Sequence, residues 1–570
     1  MTIDLLVTNV QIFNSFNRQF ESGSIAISEG KFFYRSQEDL SYLNPKEVLD
    51  GGNRYMIPGL LDIHMHIESS MTLPSIFSKA ALTYGVTTIV ADAHEVANVF
   101  GIAGLKEYFK GETELDIFQA IPSSVPSTTK ALETTGGVIE LAEVAELLDS
   151  PEVVCLGEAM NFKGIVSEPA SLIRQIIALV QEKHPRMPIE GHVPRITGEE
   201  LARFSYQGVT ADHTHQSPES ILEKVYNGMF IELQSKSITP ETIKTVVDHQ
   251  LYEYMALITD DVMADDLLTS HLNGNIKKAV ACGLPIEWAI YMSTYTPARR
   301  IGFQDRGAIA PGLLADFILL DDLTTFEIAA VYKKGQLVHR QGEAIQQPAV
   351  IEEFPPEYYQ SVKCRLLTPA DLKIAAPATA TEADVNVMAI QAVGTFTTQE
   401  SKTLPVVDGY LNWEDSGLAL IIVMERYGLN GNIAYGFVDQ GLHEKGAVAT
   451  TWAHDHHNLM VMGTDSASIL EAQKTLLAIQ GGYVVVNQGE LVATCPLPIG
   501  GILSAAPLAD LGQKLKDVRQ GMVDLGYRNG NEIMSFSTLS LPVSPEIKIT
   551  DKGMMATKSQ ELIPLIRRFR

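Results

Sequence analysis

Short apolar runs rich in β-forming residues recur through the first half of the chain, with helical stretches between them. Strands that alternate with helices predict βαβ units and a parallel sheet, and eight such units predict a closed (β/α)8 barrel. Active sites of barrels form at the C-terminal ends of the strands, so we expect functional polar side chains where these runs end. The eight runs are 60–66, 87–93, 117–125, 153–158, 187–192, 209–213, 229–234 and 255–261.

Strands of another kind flank the predicted barrel. Residues 1–56 contain short alternating runs at 5–10, 24–27 and 31–34, separated by Gly and Asn turns, which is typical of a small antiparallel sheet. The pattern returns at 306–350, so we expect both flanks of the barrel (57–305) to form one small β-sandwich domain. Residues 351–384, rich in Pro, Ala, Thr and Glu, are predicted to connect it to a C-terminal mixed α/β domain at 385–570. The predicted fold class is α/β.

Composition restricts the class of partner. The formal net charge of −26 disfavours nucleic acid and anionic membranes, because both recruit clusters of Lys and Arg. No apolar stretch approaches the roughly 18 residues of a membrane span, and no secretory signal is visible, so we expect a cytoplasmic location. The cysteines are too scattered for a zinc knuckle or a disulfide framework and predict reduced thiols. A neutral or cationic small molecule is the expected partner.

The predicted strand ends carry metal-binding side chains. His64 and His66 are two residues apart, so a strand directs both imidazoles to one face, where they can bind one cation. A surface histidine pair is the alternative for this motif alone. Barrel closure would bring the other strand-end residues to the same mouth, where burial without a metal or partners is costly. Those residues are Glu158 in the fourth run, His192 in the fifth, His213 in the sixth, and Asp260 and Asp261 in the eighth.

Longer motifs surround these positions. They are His-Ile-Glu-Ser-Ser-Met at 66–71, Ala-Asp-Ala-His-Glu-Val-Ala-Asn at 91–98, Gly-Glu-Ala-Met-Asn at 157–161, Thr-Asp-Asp at 259–261, Met-Glu-Arg-Tyr-Gly at 424–428, Ala-His-Asp-His-His-Asn at 453–458 and Cys-Pro-Leu-Pro-Ile-Gly-Gly at 495–501. With the strand-end residues, they resemble the adenine deaminase family of the amidohydrolase superfamily. The His-x-His motif marks only the superfamily, whereas the run at 66–71 and the motifs of the C-terminal part are much more selective. The resemblance covers nearly the whole chain.

The resemblance implies a reaction and a set of roles. The reaction is the hydrolytic deamination of adenine to hypoxanthine and ammonia, a step of purine salvage, by a hydroxide that two metal ions activate. The implied ions are Mn(II) or Fe(II), although Zn uses the same ligand types. The implied ligands are His64 and His66 for one ion, His192 and His213 for the other, Glu158 as the bridge and Asp260 to complete the site.

Further roles concern the proton and the purine. Asp260 would accept a proton from the attacking hydroxide and return it to the departing amine. Asp261 is predicted to contact a purine ring nitrogen. Glu68 and His94 are predicted to orient the substrate or relay a proton, and the alternative for both is a hydrogen bond that fixes a loop.

Several alternatives stay open. The sequence departs from the family pattern at two places. Thr214 and His215 follow His213, where relatives commonly have Glu, and no Arg follows the paired aspartates. Another amino-purine, a related heterocycle or a cyclic amide is therefore an alternative substrate. His215 is an alternative ligand, because a two-residue shift preserves the face of a strand. A catalytically silent binding or assembly protein is the non-enzyme alternative, which the complete ligand set disfavours. For the histidines at 454, 456 and 457 we expect active-site covering or an interface rather than another catalytic metal. A homodimer or higher homo-oligomer is expected.

Overall fold

A computed structural model describes residues 2–570. The first strands are β1 (Leu5–Asn14), β2 (Gln19–Ser28), β3 (Lys31–Ser36) and β4 (Glu47–Pro58). The sequence predicted the first three and missed β4, because Gly51 and Gly52 interrupt its alternation. The structure accommodates these residues with a shift in the pairing of β4 to β1, between Thr8 and Val10.

The barrel strands follow the predicted apolar runs. They are β5 (Leu60–His66), β6 (Val86–Ala91), β7 (Asp116–Ile121), β8 (Val153–Ala159), β9 (Ile189–Gly191), β10 (Ala211–Asp212), β11 (Phe230–Leu233), β12 (Met255–Leu257) and β13 (Asp260–Asp261). One sheet has the order β13-β5-β6-β7-β8-β9 and a second has β10-β11-β12. The Thr210 amide donates to the Ile189 carbonyl (2.9 Å) across their junction, and β13 pairs in parallel with β5. The strands therefore close into the predicted barrel, with the last apolar run divided into β12 and β13.

Helices connect the barrel strands. They are α1 (Pro74–Thr83), α2 (His94–Tyr108), α3 (Leu141–Leu147), α4 (Phe162–Ser167), α5 (Leu172–Lys183), α6 (Gly198–Tyr206), α7 (Pro218–Tyr226), α8 (Pro240–Asp248), α9 (Ala264–Leu267), α10 (Leu272–Ala281), α11 (Ile286–Tyr291) and α12 (Tyr295–Ile301). In α5, Ile173, Ile176, Ile177 and Val180 are buried along one face, which is the spacing of an amphipathic helix. Within residues 2–570, no helix combines the length and hydropathy needed to cross a membrane.

Strands from both flanks of the barrel share one sheet. After the barrel come β14 (Phe317–Asp322), β15 (Glu327–Lys333) and β16 (Gln336–Arg340). Within residues 2–570, the sheet has seven strands in the order β16-β15-β14-β4-β1-β2-β3. β4 is the junction, because it pairs in parallel with β1 and antiparallel with β14, where Pro58 lies opposite Phe317. The predicted pairing of the two flanks is confirmed, while the residue boundaries between domains stay a prediction.

The C-terminal part is rich in sheet and covers one side of the barrel. Its strands are β17 (Glu382–Ile390), β18 (Thr397–Val407), β19 (Tyr410–Leu411), β20 (Ala419–Met424), β21 (Ile433–Asp439), β22 (Gly446–Thr450), β23 (Leu459–Gly463), β24 (Gly482–Asn487), β25 (Glu490–Pro496), β26 (Ile547–Thr550), β27 (Gly553–Ala556), β28 (Glu561–Ile563) and β29 (Ile566–Phe569), and its helices are α13 (Ser466–Ala478), α14 (Leu508–Asp524) and α15 (Glu532–Ser537). Arg519 of α14 donates to Asp265 of α9 (2.8 Å), and Thr134 donates to Asp551 (2.7 Å). These contacts fasten the C-terminal part to the barrel.

Candidate active site

The predicted metal ligands converge at the C-terminal mouth of the barrel. Each lies at or just beyond the end of its strand, because parallel strands in a barrel all end at the same rim. We call this group the candidate metal centre. Its members are His64 and His66 on β5, Glu158 on β8, His192 after β9, His213 after β10 and Asp260 on β13.

Glu158 lies between two sets of imidazoles. Its Oε1 is 3.6 Å from His66 Nε2, and its Oε2 is 2.7 Å from His192 Nδ1 and 3.2 Å from His213 Nε2. Ligand atoms that share one ion at about 2.0–2.2 Å lie about 3–4 Å apart, so this spacing fits shared cations. Glu158 belongs to two groups of potential ligands, one with His64 and His66 and one with His192 and His213.

Neighbouring groups orient the histidines. His66 Nδ1 lies 2.8 Å from the carbonyl oxygen of Asp92, so Nδ1 is the donor and the Nε2 lone pair is directed into the site. His64 Nε2 is buried without a hydrogen-bond partner. An unpartnered buried nitrogen is costly unless a ligand or ion satisfies it. The donor set and this unpartnered atom therefore fit a bound cation.

Asp260 is held from several sides. Its Oδ1 is 3.3 Å from His66 Nε2 and 4.0 Å from His64 Nε2, while its Oδ2 accepts a hydrogen bond from Gln234 Nε2 (2.6 Å). Lys236 Nζ lies 3.8 Å from the same Oδ2. The backbone of Asp260 has a φ of 61°, in the left-handed region that Asp and Asn tolerate best after Gly. Gln234 and Lys236 were not predicted as site residues, although Gln234 ends the seventh apolar run and Lys236 lies two residues beyond it.

Charge and burial set the protonation states of the ligands. Burial, with His213 and His66, lowers the pKa of His64 well below its usual value, which keeps its imidazole neutral. Burial raises the pKa of Glu158, but His213 and His192 outweigh it and hold that pKa well below its usual range. Burial lowers the pKa of His213, but Glu158 and Asp260 raise it to about 9. A cation bound here would replace the proton on His213 as the positive charge beside Glu158, since ligands bind metal in their deprotonated forms.

A further buried carboxyl group lies below the candidate metal centre. Glu232 Oε2 is 3.5 Å from His64 Nδ1, and both carboxyl oxygens of Glu232 lack a hydrogen-bond partner. Burial and the neighbouring Glu190 raise the pKa of Glu232 well above its usual value. The sequence interpretation missed Glu232, because a single acidic residue inside an apolar run gives no motif.

The three residues predicted to contact or orient the substrate lie at different distances from the site. Asp261 lines the cavity, and its Oδ1 accepts a hydrogen bond from Ser69 (2.5 Å). Burial and Asp260 raise the pKa of Asp261. His94 also lines the cavity, with Nδ1 3.8 Å from Glu158 Oε1. Glu68 is fully buried behind the residues that line the cavity, and burial raises its pKa to about 7.

The C-terminal part contributes to the wall of the cavity at the mouth of the barrel. Residues 393–396, His454 and Asp455 line the same cavity as His94 and Asp260. The expectation that this region covers the site thus agrees with the position of His454. His456 instead accepts a hydrogen bond from the Asn458 amide (3.0 Å), and His457 contacts Glu95 of α2.

The cavity is small and opens into a wider one. Its volume is about 260 Å³, slightly below the range of about 300–1,000 Å³ common for sites of drug-sized ligands. An outer cavity of about 650 Å³ shares His192, Arg195 and Phe396 with it. His215, the alternative ligand, is exposed at the mouth of the inner cavity. The volume of the inner cavity suits a small ligand.

Comparison with known proteins identifies the family. The amidohydrolase family model matches residues 55–338, and the model of the adenine deaminase C-terminal domain matches residues 394–561. A protein named adenine deaminase 2 from Oenococcus oeni is 52% identical over 566 residues, which cover 99% of this chain and 98% of that protein. An adenine deaminase from Clostridium perfringens is 48% identical over 570 residues and covers 100% of both chains. An adenine deaminase from Lactobacillus delbrueckii subsp. bulgaricus is 47% identical over 565 residues, 99% of each chain.

These matches identify a hydrolase that acts on carbon–nitrogen bonds, and they imply a divalent metal, for which the chain offers several groups of ligands. The chain belongs to the adenine deaminase family of the amidohydrolase superfamily.

Proposed function

We propose that this chain converts adenine and water into hypoxanthine and ammonia with two divalent metal ions, Mn(II) or Fe(II), and so serves purine salvage. The observation that carries the proposal is the candidate metal centre, in which Glu158 lies between two sets of imidazoles. It occurs in a chain that is similar over its full length to proteins named adenine deaminase. The partner is a small purine, and the inner cavity of about 260 Å³ suits one.

The candidate metal centre would supply the ligands of both ions. His64 and His66 would hold one, His192 and His213 would hold the other, and Glu158 would bridge them. When bound, two such ions would act as Lewis acids and lower the pKa of water from about 15.7 toward 7.

Asp260 is the proposed proton carrier. It would accept a proton from the attacking water and return it to the amine that leaves C6, so that one water is consumed and one ammonia released. Gln234 donates to Asp260 Oδ2 (2.6 Å), which leaves Oδ1 directed at the candidate metal centre. Gln234 also donates to the His213 carbonyl (2.9 Å), so it fixes the acid–base group relative to a ligand. We therefore assign Gln234 as a positioning residue.

Asp261 is the proposed contact to the purine ring. Its side chain lines the cavity, and Ser69 holds one of its oxygens, which leaves the other for a ring nitrogen. His94 would orient the substrate from the other side of Glu158. Glu68 is buried behind the cavity wall and 3.5 Å from the Val96 amide, so we assign it to support of that wall rather than to substrate contact.

The test is ammonia release from adenine by the purified full chain, reconstituted anaerobically with Mn(II) or Fe(II). We expect turnover of adenine, and little turnover of adenosine, guanine or cytosine. Asp260→Asn should lower kcat by about 10²–10⁴-fold, the usual contribution of a general acid–base group. Its fold and bound metal should be retained, because Asn tolerates the left-handed backbone at this position.

The matched control is Asp248→Asn on the exposed face of α8, where Asp248 pairs with Lys244 (2.5 Å). It should retain wild-type turnover. A metal-loaded chain that releases no ammonia from adenine would refute the proposed reaction. Wild-type turnover by Asp260→Asn would refute only the role of Asp260.

A further inference from the structure

A second group of metal-binding side chains lies beside the candidate metal centre. It consists of His94 and Glu95 at the start of α2 and of His454 and Asp455 from the C-terminal part, and we call it the second donor cluster. All four residues are buried, and one ligand atom from each lies within 4.8 Å of the other three. In the two-ion reaction proposed above, His94 would orient the substrate, whereas Glu95, His454 and Asp455 have no role.

The spacing of the second donor cluster matches that of the candidate metal centre. Glu95 Oε1 is 2.7 Å from His454 Nδ1 and 3.6 Å from His94 Nε2. Asp455 Oδ1 is 3.1 Å from His454 Nδ1 and 3.9 Å from His94 Nε2. In the candidate metal centre, the corresponding pairs are separated by 2.7 to 4.0 Å. Both sets fit atoms that surround one ion at about 2.0–2.2 Å.

Unpartnered atoms point to a missing ligand. Glu95 has an exposed fraction of 0%, yet its Oε1 makes no hydrogen bond, although His454 Nδ1 is only 2.7 Å away. The two atoms are therefore close without the alignment of a donor and an acceptor. Asp455 Oδ2 also lacks a partner. An unpartnered buried carboxylate oxygen destabilises the fold, and a cation bound by these two carboxylates would remove that cost.

The donors are held in place by their surroundings. Glu95 Oε2 contacts His457 Nε2, which fixes the carboxylate from its other side. The His454 amide donates to Ser537 Oγ (3.1 Å), and Ser540 Oγ donates to the His454 carbonyl (2.9 Å). Such outer contacts are what orient the ligands of a metal site.

We infer that His94, Glu95, His454 and Asp455 bind a third divalent transition-metal ion, which joins the C-terminal part to the barrel. Two imidazoles with two carboxylates suit Zn(II), Mn(II) or Fe(II), whereas Mg(II) and Ca(II) prefer oxygen ligands alone. His94 would use Nε2 for this ion, while its Nδ1 faces Asp92 (3.7 Å) and Glu158 (3.8 Å). The imidazole of His94 would thus lie between this ion and the candidate metal centre.

The test counts metal ions in the full chain. Apoprotein is reconstituted anaerobically with Mn(II), passed over a chelating resin and analysed by elemental mass spectrometry. We expect three ions per chain for the wild type and two for Asp455→Asn and for His454→Gln, which removes the nitrogen that faces the cluster. His456→Asn is the matched control, because its side-chain oxygen can replace the Nδ1 that accepts from Asn458, and it should keep three ions.

A second measurement needs no variant. Anomalous diffraction from wild-type crystals at the manganese edge should show a third peak between Glu95 Oε1 and Asp455 Oδ1. Two ions per wild-type chain, a third peak elsewhere, or three ions in Asp455→Asn would each overturn the inference. A chain that deaminates adenine with only two ions would refute this third site and leave the proposed function intact.

Discussion

Lys224 and Asp212 form a buried ion pair behind two of the candidate metal ligands. The Nζ–Oδ2 distance is 2.7 Å, and the exposed fractions of the two side chains are 1% and 0%. Asp212 directly precedes His213, and its Oδ1 accepts from the amide of Val193 (2.9 Å), the residue after His192. The pair therefore fixes the ends of both ligand-bearing strands.

We expect Lys224→Met to lower the free energy of unfolding of the barrel by about 3–5 kcal/mol, the usual cost of removing one partner of a buried pair. Burial raises the pKa of Asp212, and Lys224 and His213 outweigh it and hold that pKa below its usual range. The wild-type pair therefore stabilises the fold above about pH 4 and loses this effect at lower pH. In the variant, burial would raise the pKa of Asp212, so protonation would relieve the cost of the buried carboxylate as the pH falls. The loss of unfolding free energy relative to the wild type should therefore be largest at pH 8 and shrink toward pH 5.

Hydrogen exchange of peptides that span β9 and β10, across a guanidinium series, measures the local free energy of opening. The double variant Lys224→Met/Asp212→Asn should recover more than half of the loss, because it removes both charges. Lys244→Met, which breaks only the exposed pair with Asp248, should change stability by less than about 0.5 kcal/mol. A double variant no more stable than Lys224→Met would refute the reasoning, since the loss would then come from packing and not from charge.

Two further predictions follow from buried positions. Ala at position 157 would place its Cβ 2.1 Å from Asp92 Oδ2, the acceptor of the Glu158 amide. Gly157→Ala should therefore lose bound metal in elemental analysis, and wild-type metal content would contradict this. Burial lowers the pKa of Lys548 to about 7 in the folded state, below the value of about 10.4 for an unfolded chain. The unfolded state then binds more protons between these values, so wild-type stability should rise from pH 7 to pH 10. Lys548→Met should raise the free energy of unfolding at pH 7 by a few kcal/mol and abolish its rise toward pH 10. Thermal melting from pH 7 to pH 10 measures this, and a melting temperature that rises equally with pH in both proteins would contradict the prediction.

The barrel could be predicted from the sequence because its signal is local. Each parallel strand is buried on both faces, so its sequence is a short apolar run. The functional polar residue follows at the C-terminal end of that run and is adjacent to it in sequence. His64, Glu158 and His213 were found in this way. β4 was missed because its two glycines remove the alternation, and only its pairing with β1 and β14 makes it a strand.

Individual side-chain contacts that no motif or strand end signals could not be predicted. Glu95 follows His94 at the start of α2, where an acidic side chain is common because it favours the helix N-terminus. Nothing in that position indicates that His454 lies against it. Gln234 likewise gives no signal of its contact with Asp260, since a glutamine after a strand usually binds solvent. Both contacts depend on the three-dimensional closure of the chain rather than on residue spacing.

The seven-stranded sheet has a consequence for synthesis of the chain. β4 receives its second neighbour, β14, only after the whole barrel has been translated. At about 5–20 residues per second, the bare edge of β4 waits for tens of seconds on the ribosome. An unpaired strand edge is a template for pairing with other chains, so the nascent protein is exposed to aggregation during this interval.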